Sequence, residues 1–167
     1  MVPAPKEIIQ RFNLTKHPEG GYFAEMFRSD DDISSGLPER YEGNHVLYTS
    51  IYFMLEGNDF SAFHVLKSDE IWHFYEGTSI LLHSIEKNGI LKTVRLGRSH
   101  ESGDVYQYLV KAGSYFCAEV EDKSSYALVG CTVSPGFEYN DFILCSRNDL
   151  INLFPQQKDI ITKFSRQ

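Results

Sequence analysis

Along most of this chain, short runs of alternating apolar and polar residues are parted by turn residues. Successive side chains of a strand point to opposite faces, so such runs predict β-strands. In residues 22–28, Phe23, Glu25 and Phe27 take one side, and Tyr22, Ala24, Met26 and Arg28 the other. Residues 46–55 are apolar throughout except Thr49, Ser50 and Tyr52, as in a strand buried on both faces. His64 to Leu66 alternates, Lys67-Ser68-Asp69 breaks the run, and residues 70–75 return, which predicts a hairpin. Its parity groups His64 with Leu66 and Glu70 with Trp72 and Phe74, and turns His73 away. Residues 79–85 and 90–96 flank Asn88-Gly89, a tight-turn pair. Residues 106–110, 114–120, 126–133 and 137–144 complete the strands.

Helical spacing is confined to the ends. Ile8, Ile9 and Phe12 follow prolines 3 and 5 and predict a short helix over residues 6–14. Leu150, Ile151, Leu153 and Phe154 form an apolar stripe after a Ser146–Asp149 capping pair and before Pro155. Residues 158–164 make a second short amphipathic piece. His17-Pro18-Glu19-Gly20-Gly21 reads as a plain turn, and the polar residues 29–44 as a long surface loop. Many short strands with few helices predict an all-β sandwich or barrel.

Composition narrows the setting. A chain of 167 residues predicts one domain over 1–167, long enough for its own core. The net charge of −7 and the lack of a basic run argue against nucleic acid as a partner. No apolar run approaches the roughly 20 residues of a membrane span, and the first residues lack a signal-peptide pattern. A cytoplasmic protein without a membrane partner is expected. Cys117, Cys131 and Cys145 cannot all pair within the chain, and each lies in an apolar run, as buried reduced thiols do. With 14% aromatic residues and strands apolar on both faces, the chain has more apolar surface than one small barrel hides, which predicts a homodimer.

The chemistry concentrates between Gly57 and Gly77, where His64, Glu70 and Trp72 fall on one hairpin. An imidazole that titrates near neutral pH and a carboxyl among rings suit general acid–base catalysis. Trp72 and Phe74, with Tyr52 and Tyr115, offer flat faces to a sugar-like or aromatic ligand. Glu25, between two phenylalanines, either faces solvent on an edge strand or lines a wet pocket.

The stretch resembles the first cupin motif, with His64 at the first histidine position, Glu70 at the glutamate and Gly77 six residues on; Leu66 stands at the second histidine. In the second motif the histidine position holds Phe116. The wording of HPEGGYF, SDEIWHFYEG and GCTVSPGFEYNDF resembles one branch, the DUF985 or cupin-5 family, over residues 17–155. The resemblance implies the cupin double-stranded β-helix, or jelly roll, with short terminal helices and a pocket inside the barrel. It favours the pocket for Glu25, because family members carry Glu and Arg at positions 25 and 28. It is also similar to the metal-free sugar-nucleotide epimerases in fold. The expected function is therefore small-molecule binding, with His64 and Glu70 as catalytic residues of a metal-independent isomerase or epimerase acting on a sugar-like metabolite. Glu25, Tyr52, Trp72, Phe74 and Tyr115 are the expected ligand contacts, and no metal or other cofactor is expected. The alternatives are a non-catalytic ligand-binding jelly roll and a metal-dependent oxygenase with a degenerate ligand set.

Overall fold

A computed structural model describes residues 4–166; Pro3, part of the expected helix start, lies outside them. Helix α1 (Pro5–Phe12) begins with a proline at its first position and ends on Asn13 in the left-handed conformation. Thirteen strands follow among the described residues: β1 (Thr15–Lys16), β2 (Tyr22–Arg28), β3 (Asp32–Ile33), β4 (His45–Val46), β5 (Thr49–Glu56), β6 (Phe60–Leu66) and β7 (Asp69–Gly77), then β8 (Ile80–Ile85), β9 (Leu91–Leu96), β10 (Gln107–Val110), β11 (Tyr115–Val120), β12 (Tyr126–Ser134) and β13 (Phe142–Leu144). Helices α2 (Arg147–Leu153) and α3 (Lys158–Lys163) close the chain. Six strands form one antiparallel sheet in the order β1-β2-β5-β12-β7-β10, and five form the other in the order β13-β6-β11-β8-β9. This is the jelly roll that the motifs imply.

The core lies between the sheets, where Phe53, Trp72, Leu82, Phe116 and Val129 are buried. A second cluster, including Phe63, Cys117 and Leu150, packs α2 and α3 on the outside of the five-stranded sheet. A third packs Ile8 of α1 against Met54 and Leu128 on the outside of the six-stranded sheet. Burying such side chains contributes about 1.5–3 kcal/mol each, so both sheets are braced from outside at the chain's two ends.

Three local expectations are corrected. The continuous strand over residues 46–55 is broken at Leu47 and Tyr48, where the Leu47 N–H donates to Asp31 O (3.1 Å) and Tyr48 O accepts from Ser29 N (3.0 Å). These bonds tie the long loop to the chain, and β3 pairs with β4 inside it. The last strand spans only Phe142–Leu144. Before it, the Phe137 N–H donates to the Thr49 hydroxyl (2.9 Å) and residues 139–141 form a 3-10 turn, so the ladder is captured by a side chain. Finally, the parity of β2 changes at Met26. Glu25 pairs with Ile51 but Phe27 with Ser50, a bulge that skips Met26. Phe27 therefore points outward, and Arg28 returns to the face that carries Glu25.

Candidate functional site

Between the sheets, at the end where β6 turns into β7, lies a cavity of about 110 Å³. The hairpin supplies its floor as the alternation predicts: His64 and Leu66 from β6, Glu70 and Trp72 from β7, all facing in. Phe23, Phe53, Phe137 and Phe142 build apolar walls, and Cys131 lies beside Glu70. Glu25 and Arg28 stand at the mouth, where the bulge has brought them together; Arg28 Nε donates to Glu25 (3.2 Å) and its Nη1 to Glu138 (3.0 Å).

Not every expected contact reaches this cavity. Tyr52 points to the outer face of the six-stranded sheet, 4.7 Å from the Phe12 ring of α1 and 5.7 Å from Tyr75. Tyr115 packs on Phe154 beneath α2, with ring centroids 5.3 Å apart. Strands apolar on both faces give no parity signal, so nothing local told which way either tyrosine points. Phe74 faces inward with Trp72 but is buried in the core beyond the cavity, with Arg98 over its ring. His73 points outward, as its parity requires, toward the Thr132 hydroxyl at 3.3 Å.

The loop read as a plain turn proves to be part of the site. Residues 17–21 fold back into the barrel end and carry His17 and Glu19 into the cavity. Gly20 and Gly21 have φ of +117° and +71°, and a Cβ on Gly20 would collide with the Phe60 carbonyl and the Arg166 guanidinium. Only glycine takes this path without strain. The Glu19 backbone carbonyl is held twice, accepting from Ala62 N (2.8 Å) and from Arg166 Nε (3.0 Å). Its side chain accepts from Ser61 Oγ at 2.8 Å. Ser61 reaches the cavity side because the β6–β11 register shifts between Ser61 and His64.

The proton positions follow from the partners. His64 Nδ1 lies 2.8 Å from Ala62 O, a pure acceptor, so Nδ1 carries the hydrogen. Its Nε2 then faces Glu19 Oε2 at 3.3 Å. The Glu19 N–H donates to His17 Nδ1 (3.3 Å), so the hydrogen of neutral His17 sits on Nε2. Trp72 Nε1–H donates to Glu70 Oε2 at 2.7 Å. Burial pushes the pKa of both histidines down and that of Glu19 up. Glu70 is raised to about 7, chiefly by burial and further by the Glu19 carboxyl, against the lowering effect of His64. Burial also raises the Cys131 thiol well above its ordinary value, so it is no thiolate nucleophile.

The donor set does not fit a metal centre. Leu66 and Phe116 occupy two positions where the cupin motifs have histidines, and among the described residues no group of three or more His, Cys, Asp or Glu side chains is placed to hold an ion. His64 Nε2 and His17 Nδ1 both face the Glu19 Oε2 atom, at 3.3 and 3.4 Å, rather than a common open point where an ion would sit.

Residues 6–145 match the Cupin_5 family of the cupin superfamily, also described as DUF985. The chain belongs to this family. As a Cupin_5 protein it is similar to protein SO0799 from Shewanella oneidensis, whose crystal structure superposes with a TM-score of 0.89 at 34% identity over 99% of both chains. A hypothetical protein from Leishmania major gives a TM-score of 0.90 at 31% identity, over 99% of this chain and 100% of that one. An uncharacterized protein of Saccharomyces cerevisiae is 25% identical over 89% of this chain and 81% of its own length. Membership fixes the fold, while the chemistry resides in the cavity's own side chains. No helix among the described residues is long and apolar enough to cross a membrane.

Proposed function

We propose that this Cupin_5 protein binds a small polar metabolite in the cavity and acts on it by proton transfer, as a metal-independent isomerase or epimerase of a sugar-like compound would. The observation that carries the reading is Glu70: a buried carboxyl on the floor of an aromatic-walled cavity, with its pKa near 7. A group in that range both takes and returns a proton at neutral pH. Of the two expected catalytic residues, Glu70 therefore takes the part of the base. His64 is committed on one side to Ala62 and faces Glu19 on the other, so its role is to hold the two carboxyls apart in charge. His17 Nε2–H is left to donate to a substrate oxygen. Trp72 is the ligand's flat contact, and Glu25 belongs to the mouth.

Incubation with a panel of small hydroxy-aldehydes and hydroxy-ketones in deuterated water tests this. Glu70 catalysis places deuterium on carbon in at least one compound, and Glu70→Gln stops it. A ligand that co-purifies and is released with no exchange and unchanged mass would instead support the non-catalytic binder, which the apolar walls also suit. The oxygenase alternative has no support in the donor set.

We also propose a homodimer formed through the outer face of the six-stranded sheet, where Ile71, Tyr75 and Leu109 stand together and remain 38–45% exposed. Light scattering at micromolar concentration gives twice the 19.2 kDa chain mass if this is right; a monomer would refute it.

A further inference from the structure

We infer that the ligand of this cavity carries a protonated amine. The inference deepens the reading above and rests on it, since it names the charge of the molecule that the cavity takes. Four carboxyl side chains line the cavity, Glu19 and Glu70 within and Glu25 and Glu138 at the mouth, against one cation, Arg28. Arg28 is already matched twice: Nε binds Glu25, Nη1 binds Glu138, and Nη2 donates to the Phe137 carbonyl at 3.2 Å. Three of its five N–H groups are taken, and the two carboxylates beside it already offset its charge. Arg166 approaches from behind, but it holds the Glu19 backbone oxygen and pairs with Asp59 at 2.7 Å. The other titratable groups facing Glu70 are His64 from β6, Glu19 and His17 from the loop before β2, and Cys131 from β12. Burial lowers the pKa of both imidazoles and raises that of Glu19, which leaves Glu70 as the interior carboxyl that no cation faces.

The walls point the same way. Trp72, Phe23, Phe53, Phe137 and Phe142 line the cavity, and ring faces attract cations and repel anions. An ammonium group here would gain a buried carboxylate among aromatic rings, whereas a carboxylate or phosphate would meet four carboxyl side chains and one cation already paired with two of them. The remaining polar group is His17, whose side chain is 7% exposed and whose Nε2–H has no hydrogen-bond partner among the described residues. It suits a hydroxyl or carbonyl oxygen on the ligand. The space limits size: apolar cavities of ~150 Å³ take up benzene, so about 110 Å³ below an open mouth suits one small ring or short chain. A small amine with an oxygen function a few bonds from the nitrogen meets each of these features.

Three molecules of one shape test the charge: benzylamine as its ammonium ion, benzyl alcohol and benzoate. Trp72 is the chain's single tryptophan and lines the cavity, so its fluorescence reports occupancy. The ammonium should bind at least about tenfold tighter than the alcohol, about 1.4 kcal/mol, with benzoate weakest. Its advantage should shrink as pH falls from about 8 to about 5 and Glu70 takes up a proton, and Glu70→Gln should bring the ammonium down to the level of the alcohol. If that variant does not fold, the pH titration of the unaltered protein decides alone. Binding of the alcohol or benzoate as tightly as the ammonium would overturn the amine and leave proton-transfer chemistry standing. No response to any of the three at about 10 mM would likewise overturn the amine, while deuterium exchange with the hydroxy-carbonyl panel would still decide the proton-transfer reading.

Discussion

Replacing Glu70 by glutamine should strengthen the folded protein in alkaline solution and leave it nearly unchanged in acid. The carboxyl is 7% exposed and accepts from Trp72 Nε1–H at 2.7 Å. Glutamine keeps the shape and an acceptor oxygen but never ionises. In the folded protein Glu70 has a pKa of about 7, against 4.5 for a free glutamate side chain. Below the lower value both states are protonated and the group has no effect. Between the two, the folded state holds more protons than the unfolded state, so stability falls as pH rises, by at most about 1.36 kcal/mol per pH unit. Above pH 7 the accumulated cost is about 3 kcal/mol. Glu70→Gln should therefore raise the unfolding free energy by about 3 kcal/mol at pH 8, or about 6–12 °C in Tm for a chain of this size, and by little at pH 4.5. Urea titrations followed by Trp72 emission and far-ultraviolet circular dichroism measure both. An equal gain at the two pH values, or a loss at pH 8, would show that Glu70 is not an uncompensated buried carboxyl. The same gain would illustrate a site kept at the expense of stability.

Other replacements test the surroundings. His64→Ala should cost about 3 kcal/mol, because it empties a position 4.0 Å from the Phe116 ring centroid and orphans the Ala62 carbonyl; a Tm within two degrees of the unaltered protein would contradict the packing. Asp141 joins the long loop to the barrel through His45 Nε2 (2.5 Å) and Lys67 Nζ (3.1 Å). Asp141→Ala should cost about 3 kcal/mol and hasten proteolytic cleavage within residues 30–44, and unchanged cleavage would refute the tie. Cys117 and Cys131 are fully enclosed with raised thiol pKa values. Ellman's reagent should leave both untouched in the native protein and titrate all three cysteines in urea; fast native labelling of Cys131 would mean that the cavity opens wider than its walls suggest.

The hairpin shows how far local pattern reaches. Alternation from His64 to Tyr75 assigns His64, Glu70 and Trp72 to one interior and His73 to the exterior, and the structure has them so. Tyr52 and Tyr115 mark its limit, because an all-apolar strand hides its parity and only the partners, α1 for one and α2 for the other, decide the facing side. Parity turns Phe74 inward and it is buried there, yet depth along a strand is set by where the barrel closes. The capture of Phe137 by Thr49 likewise joins residues 88 positions apart.

By itself, the order of residues determined an all-β sandwich or barrel, which the motif resemblance narrowed to a jelly roll, and it put one imidazole, one carboxyl and one indole in the interior, because strand parity is a property of neighbours. The tertiary structure alone decided what surrounds them. The bulge at Met26 that aims Arg28 inward, the register shift that turns Ser61 toward Glu19, and the glycine-hinged loop that brings His17 and Glu19 to Glu70 each depend on a distant partner strand. The pKa of Glu70 depends on them too, since it is set by how much water and opposite charge the folded neighbours leave within reach.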